Sequence, residues 1–151
     1  MEKVRVSEVN DVLSPASVKR CVGDALGTDG VAINYYELAP GESFSNTLHA
    51  HFDQEEVFYI LEGTATFETD QGTVKVNAGS AIRFEPGEYQ HGHNTIEEHV
   101  VGLVIAAPKE SQQGSMQCPT CEARESPDVD RTMNAIIFRC AECGGEINRM
   151  T

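Results

Sequence analysis

The chain reads as an all-β protein: a small antiparallel β-barrel over residues 31–107, a polar linker over 108–115 and a short metal-stapled tail over 116–151. Three observations carry this reading. Residues 31–107 consist of short alternating or apolar runs broken by glycine-containing turns. All five histidines (His49, His51, His91, His93, His99) fall inside that stretch. Four of the five cysteines follow residue 117, in two closely spaced pairs. A length of 151 residues with 40% apolar side chains suits one compact domain with a small appendage.

Taken in order, residues 1–30 form an N-terminal segment expected to pack on the barrel or to exchange with a second copy. Residues 4–9 supply the strand that would add to an edge. Ser14-Pro15-Ala16-Ser17 ahead of residues 18–26 and Gly27 carries the start and stop signals of a short helix, and a strand through 18–22 fits the same residues. Barrel strands are expected at 31–38, 56–61, 64–68, 73–76, 81–84 and 99–105. Turns fall between them at Pro40-Gly41, Glu62-Gly63, Asp70-Gln71-Gly72, Ala78-Gly79 and Pro86-Gly87. Residues 108–115 lack large apolar side chains, which marks a linker. In the tail, residues 135–138 are a strand candidate, and Gly144-Gly145 turns the chain back.

Charge narrows the partners. The chain has 24 acidic and 11 basic side chains, a formal −13, and residues 31–107 alone set twelve acids against Lys75 and Arg83. Such a surface repels phosphate backbones and anionic lipid, so nucleic acid and membranes are disfavoured. Self-repulsion of this size is screened within about 3 Å at 1 M salt, which suggests a salt-rich cytoplasm, the alternative being an ordinary acidic bacterial-type protein. No apolar run reaches the roughly 18 residues of a membrane helix, and residues 1–10 alternate charge with valine, so a cytoplasmic protein is expected.

Two ligand sets stand out. Cys118-Pro-Thr-Cys121 and Cys140-Ala-Glu-Cys143, 18 residues apart, let two tight knuckles converge on one tetrahedral ion, and four thiolates favour structural Zn²⁺. A tail this small draws much of its folding free energy from the metal. It resembles the zinc ribbons, some of which read nucleic acid. Seven acids from residue 108 on, against five bases, favour a protein contact or a structural role instead. Cys21 stands alone and reads as a buried small hydrophobe. In the middle, His49-Ala50-His51 puts two imidazoles on one face of a strand. Glu56 then opens the apolar run Val57-Phe58-Tyr59-Ile60-Leu61, and a carboxylate there needs a partner such as a metal.

Gly41, His49-x-His51, Glu56 and Gly63 resemble the first motif of the cupin family, with a Gly-to-His gap two residues longer than usual. Gly79, Gly87 and Asn94 are similar to its second motif. With the acidic composition, the chain resembles single-domain cupins of halophilic archaea bearing a four-cysteine zinc ribbon. The resemblance implies a jelly-roll, or double-stranded β-helix, and one divalent transition metal (Fe, Mn, Ni, Co or Zn) on His49, His51 and Glu56. Glu55 is the lesser alternative to Glu56. Gln90 stands where the family usually has its third histidine, and Glu85 where it has a proline. Gln90 would bind through its amide oxygen, or a one-residue bulge would turn His91 inward instead. His93 and His99 read as surface or packing residues. Most aromatics read as core, while Phe58, Tyr36 and Phe44 are candidates to line the ligand cavity.

Two functions follow. One is a metal-binding cupin that binds or transforms a small organic acid or phenolic molecule by the dioxygenase- or isomerase-type chemistry the resemblance implies. The other is a non-catalytic sensor or interaction module in which Gln90 marks a weakened barrel site. Covering the barrel's open edges by pairing with a second copy predicts a homodimer, and the ribbon is a candidate surface for a protein partner.

Overall fold

The computed structural model describes residues 1–150. Two antiparallel sheets face one another. The first has the order β1-β2-β9-β4-β7, built from β1 (Val18–Cys21), β2 (Ala32–Leu38), β4 (Glu55–Glu62), β7 (Ala81–Phe84) and β9 (Val100–Ala107). The second has the order β11-β10-β3-β8-β5-β6. Its strands are β3 (His49–His51), β5 (Thr64–Thr69), β6 (Gly72–Asn77), β8 (Gln90–His93), β10 (Gly114–Gln117) and β11 (Arg124–Glu125). A third sheet, β12-β13-β14, joins Asp128–Arg131, Ile136–Arg139 and Glu146–Met150 in the tail. Among the described residues no helix is long and apolar enough to cross a membrane.

Period-two patterning decides what faces inward. In β9, Val100, Gly102, Val104 and Ala106 are buried, whereas the alternate residues are half-buried or exposed. In β4, Phe58 and Ile60 are buried and share their face with Glu56. A register shift between Ile60 and Glu62 against β9 leaves Leu61 outside. Leu38, Ile60, Phe67 and Val100 are fully buried between the sheets with Phe44, Phe58 and Phe84. The rings meet edge to face, Phe58–Phe67 at 4.9 Å and Phe44–Phe58 at 5.3 Å. This cluster dictates Gly92: a Cβ there would lie 2.5 Å from Phe67 Cε1 and 2.9 Å from Phe44 Cδ2. Gly63 is dictated twice over, by φ +74° and by the His99 carbonyl 2.5 Å from where a Cβ would stand.

Three regions differ from their expected form. Residues 4–9 contain a 3-10 turn, Val6–Glu8, not a strand. Residues 18–26 divide between both readings: β1 pairs with β2, then a short helix, Val22–Leu26, ends on Gly27 at φ +71°. The polar stretch 108–115 is not a free linker. Asp53 accepts hydrogen bonds from Ser111 Oγ (2.5 Å) and the Gln112 backbone N–H (2.7 Å), and Gly114 opens β10, which pairs with β3. Polar side chains do not prevent ladder pairing where a neighbouring strand offers an unpaired edge, as β3 does. The first cysteine knuckle is therefore the turn of the β10–β11 hairpin, continuous with the barrel sheet. Arg124 fixes this hairpin, donating to both oxygens of Asp70 (2.8 and 2.7 Å) and lying 4.2 Å over the Tyr89 ring.

Candidate metal centre and ligand cavity

β3 lies between β8 and β10, so its two histidines are held from both sides. His49 is buried and directly opposite Gln90. Its Nδ1 lies 3.0 Å from the Thr47 carbonyl, which can only accept, so Nδ1 carries the proton and the Nε2 lone pair faces the site. His51 packs against it with ring centroids 5.1 Å apart. Glu56 enters from β4, with Oε1 3.9 Å from His51 Nε2. One ligand atom from each of His49, His51 and Glu56 falls within 4.8 Å of the others, and this trio can hold a metal ion. Burial pushes His49 below the ordinary imidazole range, against the opposing pull of Glu56, and so favours the neutral ring that metal ligation uses.

Gln90 closes the trio. Its amide Nε2 donates to Glu56 Oε2 at 2.9 Å and lies 3.3 Å from His49 Nε2. Gln90 Oε1 and His51 Nδ1 are buried without a hydrogen-bond partner. Turning the amide over would aim Oε1 at the Glu56 carboxylate, an arrangement that only a cation between them would stabilise. The donor set thus fits a divalent metal. The regular register of β8 with β5 brings Gln90 and Gly92 inward and turns His91 and His93 outward. There His91 Nε2 lies 3.1 Å from the Ser45 carbonyl and His93 lies 3.7 Å from Glu68. Glu55 also points outward, accepting from Arg83 at 2.9 Å.

The trio sits in a cavity of about 550 Å³. Phe58, Tyr36 and Phe44 line it, as do Lys19 of β1, Met116 of β10, and Phe138 and Met150 of the tail sheet. The last four were not singled out by sequence reasoning. Burial raises the Tyr36 phenol above its ordinary range, while the charge of nearby Lys19 works against that rise.

In the tail, Sγ atoms of Cys118 and Cys143 are 3.8 Å apart, and those of Cys121 and Cys140 are 3.6 Å apart. Four sulfurs about 2.3 Å from a central ion at tetrahedral corners are separated by about 3.8 Å, so this cluster too can hold a metal ion. The knuckles repeat one hydrogen-bond pattern: Glu122 N–H to the Cys118 carbonyl, and Gly144 N–H to the Cys140 carbonyl. Backbone N–H groups of Cys121 and Thr120 lower the Cys118 thiol to about 6.

Comparison with known proteins agrees with this geometry. Residues 34–106 match the family model of the cupin domain. The fold is that of a cupin barrel. A sugar phosphate isomerase of a cupin superfamily from Silicibacter pomeroyi is similar at 19% identity and TM-score 0.67, covering 93% of this chain and 88% of that one. A polyketide cyclase from Streptomyces resistomycificus is similar at 23% identity and TM-score 0.66, over 81% and 89% of the two chains. A predicted oxalate decarboxylase from Thermotoga maritima shares 23% identity at TM-score 0.61, over 71% and 99%. At these identities the likeness concerns the fold. No curated protein matches the sequence.

Proposed function

We propose that this cupin barrel holds one divalent transition metal on His49, His51 and Glu56, with Gln90 as fourth ligand through Oε1, and binds or transforms a small organic molecule there. Convergence of three ligand atoms on the wall of a roughly 550 Å³ cavity is the observation that carries the reading. Iron, manganese, nickel, cobalt or zinc suits the donor set. When bound, such an ion supplies Lewis-acid polarisation of a carbonyl or enolate oxygen, or redox chemistry with O₂. The protein's own residues do the rest. The Thr47 carbonyl fixes the His49 tautomer, the Gln90 amide orients Glu56 until an ion enters and its Oε1 turns to the metal, and Phe44, Phe58, Phe138 and Met150 give the ligand an apolar wall. Dioxygenase- or isomerase-type reactions are the class this arrangement suits. In the tail, the four-cysteine spacing favours structural Zn²⁺.

One observation favours a second reading. The Gln90 amide satisfies Glu56 and contacts His49 without an ion, as a non-catalytic ligand sensor with a weakened barrel site would require. Elemental analysis of protein purified in high salt decides between them. Two metals per chain, one of them lost in His49→Ala, support the metal-binding cupin. Zinc alone, at one per chain and unchanged in His49→Ala, overturns it in favour of the sensor. Retention of the second metal in Gln90→Ala removes Gln90 from the ligand set.

The homodimer belongs to the same proposal. On the outer face of the first sheet, Val57 pairs with Ile105 and Tyr59 with Leu103, an apolar patch on an acidic protein. Sedimentation of wild type and Ile105→Glu tests it, a dimer becoming a monomer. A protein partner at the tail remains part of this reading, and the acidic surface argues against nucleic acid and membranes.

A further inference from the structure

Lys19 is an anomaly in this surface. Alternation along β1 sends its neighbour Arg20 outward, where it donates to Asp11 at 2.9 Å and lies 5.7 Å over the Tyr35 ring. Lys19 points the other way. It sits directly opposite Tyr36 in the β1–β2 ladder, with Nζ 5.5 Å from the centre of that ring, and lines the cavity that holds His49, His51 and Glu56. Lys109, also on the rim, is neutralised by Asp24 at 2.8 Å. Among the described residues Lys19 forms no ion pair, although the chain has more than two acids for each base. Half-buried against the Tyr36 ring and without a carboxylate partner, it presents an ammonium to the cavity that a bound anion can pair with.

We infer that Lys19 is the anchor for a carboxylate of the cavity's ligand, which is therefore a small organic acid with two oxygen-bearing ends. One end meets the metal trio, the other meets the Lys19 ammonium, and the apolar body between them lies against Phe44, Phe58, Phe138 and Met150. The inference rests on the metal reading above and adds the ligand's class to it. A carboxylate fits better than a phosphate because the wall offers one ammonium free of a carboxylate partner, without the arginine fork or the helix N-terminus that phosphate sites use. In a barrel this acidic, an anion gains nothing from the long-range field, so recognition has to come from these local charges.

The test uses the full chain with zinc in the tail and Co²⁺ supplied to the barrel. Succinate, glutarate and adipate are titrated calorimetrically against butyrate, pentanoate and hexanoate, with inorganic phosphate as a further arm. At least one dicarboxylate is expected to bind about tenfold more tightly than the monocarboxylate of its length, the gain typical of a charge-assisted hydrogen bond. Lys19→Met removes that preference while keeping the stem over Tyr36, Lys19→Arg retains it, and Lys75→Met, which changes net charge equally, leaves it intact. A preference that survives Lys19→Met, no preference in wild type, or phosphate binding more tightly than every carboxylate overturns the assignment. So does a Lys19→Met protein that binds normally but aggregates, since an inward lysine also guards an edge strand. Metal is counted in the same samples. A barrel that takes up no Co²⁺ sinks the metal reading and this inference with it, whereas a loaded barrel indifferent to Lys19 sinks only the anchor.

Discussion

Replacing Gln90 by leucine tests whether the glutamine amide organises the barrel site. The side chain is 2% exposed and its Nε2 donates to Glu56 Oε2 at 2.9 Å, with a longer 3.3 Å contact to His49 Nε2. Leucine keeps much of the volume and removes the donor. A hydrogen bond to a charged acceptor contributes about 1.5–3 kcal/mol, and losing it leaves a carboxylate oxygen in a largely buried position. Glu56 retains 15% side-chain exposure, so water recovers part of the loss and about 2 kcal/mol remains. For a chain of this length that corresponds to a fall in Tm of about 4–8 °C. The assay is a thermal melt of Gln90→Leu against wild type, both carrying metal only in the cysteine cluster. Melting within about 1 °C of wild type would refute the claim that Gln90 secures Glu56. Loading the barrel then reads the second role: as a ligand through Oε1, Gln90 makes the metal-induced rise in Tm larger in wild type than in the variant.

Gly92→Ala places a methyl 2.5 Å from Phe67 Cε1 and should cost about 1–3 kcal/mol in a urea melt by overpacking the aromatic cluster. Glu122 holds φ +61° at the knuckle position where Gly144 holds φ +70°, so Glu122→Gly is expected to stabilise the metal-loaded tail by up to about 1 kcal/mol, read as slower metal loss to a chelator. Burial raises the Glu42 carboxyl, but Ser17 Oγ and the N–H groups of Ala39 and Ser17 outweigh it and hold the group below its ordinary value of 4.5. Stability from a lowered carboxyl is complete above the unfolded value and is lost as pH falls through the folded one, so Glu42→Gln should flatten the acid limb of a stability–pH curve below about 4.5. Because residues 31–107 set twelve acids against two bases, unfolding midpoints should rise steeply with KCl up to about 1 M; a flat response would remove the salt-rich setting from the reading.

Much of this was legible from local chemistry. The six expected barrel runs all coincide with strands to within two residues at either end, because turn glycines and period-two burial are short-range signals. His49, His51 and Glu56 converge for the same reason, two on one strand face and one at the head of an apolar strand. Which of Gln90 and His91 faces inward was decidable from a residue not used for it. Gly92 sits mid-strand, and an interior strand glycine marks close approach on the inner face, which by parity brings Gln90 in. Lys19, Phe138 and Met150 were not legible. Each reaches the cavity through pairing that joins distant parts of the chain, β1 to β2 and the tail sheet to the barrel rim, and composition says nothing about such placement.

That long-range placement changes what the tail is for. Read from composition, residues 108–115 separate two independent units; in the fold, Gly114, Ser115 and Met116 pair with His51, Ala50 and His49, and the same strand runs directly into Cys118. β3 is three residues long and meets β8 through a single register pair, His49 with Gln90, so β10 supplies most of its ladder. Ordering of the cysteine cluster would therefore reach the two histidines through one intervening hairpin, and Phe138 and Met150 bring the tail to the cavity from the other side. A free appendage would leave the barrel ligands indifferent to the state of the cysteines. Here an ion held by four thiolates would stabilise the strand that flanks the candidate metal site, making the tail part of that site's scaffold.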